Sequence, residues 1–156
     1  MNIILLTHQR ERFKKTNTGS LVADVLSEQA RIVVWDRVKP DAELLKHVSE
    51  GSIALLYPSD DSLMATEAED YKHYIIIDGT WQEARKIYNQ SPYLKNIPTV
   101  KISTTKTSAY HLRRNQREGG LCTAECAIEL LNMKGFTSLA AKLRSLFLER
   151  IATKNK

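Results

Sequence analysis

YIIIDGTWQEARKIYNQ, residues Tyr74 to Gln90, decides the fold. Tyr74, Ile75, Ile76 and Ile77 run on without polar alternation, as in a parallel strand covered on both faces. An acid and a glycine then stop the strand. Thr80 followed by Glu83 is a capping-box pattern, and Ala84, Arg85, Ile87 and Tyr88 continue with helical spacing. Asp78 therefore stands at a strand-to-helix turn, at the strand end where open α/β sheets usually bind ligands.

The same pattern recurs along the chain. Asn2–Leu6, Ile32–Trp35, Ile53–Tyr57 and Thr99–Ile102 read as further strands. Between them, Leu21, Val22, Val25, Leu26 and Ala30 follow a Gly19–Ser20 turn with helical spacing, with Ser20 a plausible cap. Asp41 is placed to cap a helix carrying Leu44, Leu45 and Val48 that Gly51 ends. The acidic stretch Ala65–Asp70 fits either a helix or a solvated connector. Ser91 and Pro92 break the chain after the central helix. Thr123 is expected to cap a helix through Leu131, and a last helix from Thr137 places Leu139, Leu143, Leu146, Phe147 and Ile151 on one face. Strands alternating with helices predict one α/β domain with a mainly parallel sheet flanked by helices.

Composition supports a folded chain: 42% hydrophobic and 26% charged residues are ordinary values for a globular protein. Twenty-three Lys and Arg against eighteen Asp and Glu leave a formal charge of +5, which favours polyanionic partners without requiring one. No segment approaches membrane-spanning length and no leader precedes Ile3–Leu6, so no membrane partner and a cytoplasmic location are expected. Cys122 and Cys126, four apart near one helix start, predict reduced thiols. Without further Cys or His beside them they make no structural zinc site, and no metal is expected. The chain carries no GxGxxG, P-loop, GxSxG or HExxH pattern.

Four polar loops follow apolar strands: Thr7–Ser20, Pro58–Asp61, the Asp78 turn and the basic run Ser103–Gly120. On a parallel sheet these converge at one edge. Asp78 is either a helix-start acid or a functional one, and the second reading gains because Thr80 already fills the cap. Trp81 is either a core anchor or a pocket wall. Arg113, Arg114 and Arg117, preceded by Tyr110 and His111, suit phosphates and stacked bases or form a solvated charge run. His8 and His111 are acid-base candidates, because an imidazole's ordinary pKa lies near neutrality, or merely exposed loop side chains.

Taken in order, THQRE (Thr7–Glu11), TNTG (Thr16–Gly19), LLYPSDDS (Leu55–Ser62), DGTW (Asp78–Trp81) with ARK after it, and SAYHLRRNQREGGLCTAE (Ser108–Glu125) resemble the DTW-domain family of aminocarboxypropyltransferases. The resemblance implies transfer of the 3-amino-3-carboxypropyl group from S-adenosylmethionine to N3 of a uridine in tRNA, with methylthioadenosine released. It also implies a SPOUT-like fold with a carboxyl-terminal knot. The cofactor would lie against Leu56, Tyr57, Pro58 and Ser59, the turn Gly79, Thr80 and Trp81, and Leu121, Thr123 and Glu125. Amides at the Thr123 helix start would serve its polar atoms. His8, Glu11, Asn17, Thr18, Ser108, Arg113 and Arg117 would face substrate or RNA. Asp78 would accept the N3 proton, orient the base, or help hold the cofactor. Residues 1–156 are expected to form a single DTW domain without the cysteine-rich segment that precedes the core in many bacterial relatives. A SPOUT-type RNA methyltransferase and a catalytically silent RNA-binding protein are the alternatives.

Overall fold

The computed structural model describes residues 1–14, 17–58, 62–102 and 122–154. Among these residues six strands, β1 (Asn2–Thr7), β2 (Ala30–Val34), β3 (Ile53–Leu56), β4 (Leu63–Met64), β5 (His73–Asp78) and β6 (Thr99–Lys101), form one sheet in the order β2-β1-β5-β3-β6-β4. Every pairing is parallel. Among the described residues five α-helices accompany them: α1 (Gly19–Leu26), α2 (Ala42–Glu50), α3 (Trp81–Asn89), α4 (Thr123–Met133) and α5 (Thr137–Lys154).

The unalternating strands have the expected cause. In β1, Ile3 and Leu5 join a core with α1, α4 and α5, while Ile4 and Leu6 point to the opposite face, against Leu44 of α2 and Ile87 of α3. In β5, Tyr74 and Ile76 join the first core and Ile75 the second. A period of two with both faces covered makes every position apolar. Each such buried side chain contributes about 1.5–3 kcal/mol relative to exposure.

Several boundaries differ from the sequence expectation. The first helix stops at Leu26 because Ser27 adopts φ 53°, and Ala30 already opens β2. Ser20 is not the cap of α1; its own amide donates to Asn17 Oδ1 at 3.0 Å. The stretch after Met64 forms turns, and β4, two residues long, has no pattern that would announce it. Trp35 lies just past β2, buried, its Nε1 donating to Ser91 Oγ at 2.9 Å. On α5, Ala140, Leu143 and Phe147 make the buried row, whereas Leu146 is rotated off it and exposed. Asp41 caps α2 through the Leu44 amide, and Gly51 ends it at φ 70°, both as anticipated.

Candidate functional site

β1 and β5 are neighbours in register, so Thr7 and Asp78 close their strands side by side. Beyond them the chain turns into α1 and α3. Asp78 is only 1% exposed, and its carboxylate is ringed by neutral donors from distant parts of the sequence. Asn17 Nδ2 donates to Oδ2 at 2.6 Å and Thr123 Oγ1 donates to Oδ1 at 2.7 Å. Thr7 Oγ1 lies 3.4 Å from Oδ2 and 3.1 Å from the Leu5 carbonyl, with one proton to share between them. Asp78's own carbonyl accepts the His8 amide at 3.0 Å. Burying a carboxylate is costly unless its oxygens are satisfied, and here both are.

The donors are themselves held. Asn17 Oδ1 accepts the Ser20 amide, and the Asn17 carbonyl accepts from Arg150 of α5 at 3.2 Å. Thr18 Oγ1 accepts the Ala124 amide of α4 at 3.0 Å. Gly19 closes the ring sterically: a Cβ there would overlap Asp78 Oδ2 and meet its Cγ at 3.0 Å. One buried acid thus ties together the ends of β1 and β5, the start of α1 and the start of α4.

A second polar group flanks the turn. Thr80 caps α3 by accepting the Glu83 amide at 3.2 Å, and Glu83 Oε1 accepts the Thr80 amide at 2.8 Å. Glu83 Oε2 lies 3.5 Å from His8 Nδ1, which also accepts the Arg10 amide at 3.1 Å. Burial acts to raise the Glu83 carboxyl, but the Thr80 amide and the neighbouring His8 outweigh it and hold it below the usual range.

Of the residues expected at the site, Asn17, Thr18, Asp78 and Thr123 form one buried cluster. His8 borders it, and Glu11 is buried in the same loop, 3.4 Å from Lys14 Nζ. Leu56, Tyr57 and Trp81 are part-buried, Gly79 and Thr80 form the turn, and Pro58 is exposed at the end of β3. Thr123 is not the cap of α4: Cys122 is, with its amide donating to Glu125 Oε1 at 3.1 Å. The Ala124 amide, at the helix start expected to face a cofactor, is taken by Thr18, and the Thr123 hydroxyl by Asp78. Ser59, Ser108, Arg113, Arg117 and Leu121 lie outside the described residues. Burial, first among the causes, raises both thiols, Cys126 to about 12, so neither is a ready nucleophile. Among the described residues no group of three metal-ligating side chains occurs.

Thr7, Gly19 and Glu83 also stand at this candidate site, beyond the residues expected there. Thr7 carried a signal, a polar residue ending an apolar strand as Asp78 does.

An all-parallel sheet with loops interlocked over its carboxyl edge defines a wound α/β domain, and its candidate site lies at the edge where such sheets usually bind ligands. The chain belongs to the DTW domain family, whose pattern matches residues 1–152. It is 31% identical over 136 residues to tRNA-uridine aminocarboxypropyltransferase 2 of Drosophila melanogaster, covering 83% of this chain and 54% of that protein. The proteins of the same name from Macaca fascicularis and Mus musculus are 26% and 24% identical, with 85% of this chain and 47% of each relative covered. The chain thus spans about half the length of these curated relatives. No solved structure matches it.

Proposed function

We propose that this chain, as one catalytic domain, is a cytoplasmic tRNA-uridine aminocarboxypropyltransferase that uses S-adenosylmethionine and needs no metal. The observation that carries the reading is the Asp78 cluster: the β1–α1 loop, the β5–α3 turn and the start of α4, which carry stretches that resemble the family, meet at one buried carboxylate at the sheet's carboxyl edge. The relatives' names supply the reaction. A SPOUT-like arrangement, knotted near the carboxyl terminus, belongs to the same proposal; the approach of α4 to the Asp78 turn supports it.

The residues at this edge fit such a donor. Leu56, Tyr57 and Trp81 keep part of their apolar surface out of the core, and Thr80 and the backbone of Gly79 stand beside them. These would hold the nucleoside and amino-acid portions. When bound, the sulfonium supplies a carbon already activated toward attack: a C–N bond forms from uridine N3, the C–S pair leaves on sulfur as a neutral thioether, and the N3 proton is lost.

For Asp78 the geometry favours positioning over proton transfer. Its two oxygens already accept from Asn17 and Thr123, and almost none of it reaches solvent. We therefore assign it the task of holding the loops in register, with the N3 proton passing to solvent and catalysis resting on alignment.

The purified chain with S-adenosylmethionine and unfractionated tRNA tests the reading by mass spectrometry of the products. Methylthioadenosine together with aminocarboxypropyl-uridine is expected. Adenosylhomocysteine would make the chain a methyltransferase, and RNA binding without either product would make it a binding module.

A further inference from the structure

Beside the Asp78 cluster, the carboxyl edge carries a feature that the chemistry above does not use. Among the described residues, the two most exposed large apolar side chains, Phe13 at 88% and Val38 at 82%, both project from this edge. Phe13 lies in the β1–α1 loop and Val38 in the β2–α2 loop. These loops leave adjacent parallel strands and are stitched at their base, with Trp35 N donating to Thr7 O at 2.8 Å and Gln9 Nε2 lying 3.4 Å from Trp35 O. Leaving a phenylalanine in water forgoes about 2 kcal/mol of burial, and exposed apolar groups clustered with polar ones mark binding surfaces.

The charge around them is one-sided. Residues 8–14 and 36–39 carry Arg10, Arg12, Lys14, Arg37 and Lys39 against Glu11 and Asp36. Glu11 is buried, and Asp36 is spent on its own turn, accepting the Val38 and Lys39 amides at 2.9 and 3.1 Å. The Arg12 guanidinium lies 4.7 Å from the centre of the Phe13 ring, covering one face while the rest stays in solvent. A cation stacked behind an exposed ring suits an unpaired base in front of it and phosphates to either side.

We propose that this rim docks single-stranded RNA, with Phe13 stacking on an unpaired base and Arg10, Arg37 and Lys39 following the phosphates. The inference rests on the proposed function in taking RNA as the partner. It adds where the RNA lies: over the loop whose far end, Asn17, is bonded to Asp78. Docking and alignment would then share one segment of chain.

The test is equilibrium binding of unfractionated tRNA, without S-adenosylmethionine, over a range of salt, for the parent chain, Phe13→Ala and the Arg37→Ala/Lys39→Ala pair. A lost base stack should weaken binding about tenfold or more without altering the salt slope. The double charge variant should weaken binding and flatten the slope by about 1.4, for two phosphate contacts on a single strand. A fully paired RNA duplex should be insensitive to Phe13→Ala. All three positions are surface ones, and unchanged melting will confirm folding. Equal affinity and equal slope for both variants would overturn the rim, as would a parent chain that binds no tRNA. Because no turnover is read, a parent that binds through this rim but forms no product would sink the transferase reading and leave the rim standing.

Discussion

The two edges of the sheet are built on opposite plans. At the carboxyl edge, Thr7, Asn17 and Thr123 are buried and bonded to Asp78, and Thr18 is buried against the start of α4. At the amino edge lies an open cavity of about 550 Å³ between α2, the start of β5 and the connector before it, lined by Lys46, His47, Glu50, Asp70, Tyr71 and His73 among others. Its charges face water, and its most ordered feature is the stacked pair His47 and His73, 3.7 Å between ring centroids. The amino edge thus offers open space among charged groups. Physical cost points to the carboxyl edge as the constrained one, because buried polar groups need mutual satisfaction and surface charges do not.

The largest effect that can break this contrast is at Asp78. Asp78→Asn sets an amide against the Asn17 amide, and Asn17→Asp sets a carboxylate against the Asp78 carboxylate. Each should cost about 1–3 kcal/mol through unsatisfied or repelling buried groups and reduce activity at least about 100-fold. The exchange Asn17→Asp with Asp78→Asn restores the two short bonds: Asn at 78 keeps an oxygen for Thr123 and offers its NH₂ to the new carboxylate, whose second oxygen still takes the Ser20 amide, while the Thr7 hydroxyl keeps its bond to the Leu5 carbonyl. Melting and activity should both return to within about tenfold of the parent. An exchanged protein that melts normally but stays inactive would place the Asp78 carboxylate itself on the reacting groups.

Next in size are two glycines, one at each edge. Alanine at Gly19 forces a methyl into Asp78, and overpacking of this kind costs about 1–3 kcal/mol. Activity should fall by more than the folded fraction does. Gly51, beside the amino-edge cavity, has nothing within 4 Å of an added Cβ but sits at φ 70°. Alanine there should cost about 1 kcal/mol from the backbone alone and leave turnover of the folded protein unchanged. If both variants lost activity in step with stability, the tight packing around Asp78 would carry no special weight.

How much of this could be read from residues alone follows from which interactions are local. The Thr80–Glu83 box, the Asp41 cap and the Gly51 stop each depend on residues a few positions apart, and each is where pattern placed it. The strands were legible because burial on both faces leaves continuous apolar runs. β4 was not, since two residues have no period and its place comes from pairing with β6. For the site, Asp78 stood out as an acid that the cap did not need. Asn17 and Thr123 were expected there only through the family resemblance, and their bonds to Asp78 were not legible, because they are 61 and 45 residues away. Trp81 and Trp35 show the same limit: Trp35 is the buried one, fixed by Ser91 across 56 residues, while Trp81 is part-buried beside the turn. Side-chain type offers an acid or a ring, and only topology supplies its neighbour.

The smallest expected effect is a pH dependence at the amino edge. Burial lowers the His73 pKa first, and the adjoining His47 and Lys72 lower it further, while Glu43 and Glu50 act in the opposite sense. Glu43 and Glu50 also flank His47, at 3.8 and 3.5 Å. With the folded value below the ordinary one of about 6.5, the unfolded chain binds the proton first as pH falls. His73 therefore leaves stability intact above about pH 6.5 and erodes it as pH falls toward its folded value, a window above that of the carboxylates. Denaturant midpoints at pH 7.5 and 5.5 should drop less for His73→Gln than for the parent, and turnover at pH 7.5 should be unchanged. Equal drops would remove His73 as the source. A His73→Gln protein that melts like the parent yet loses turnover would move function to the cavity and invert the contrast between the edges.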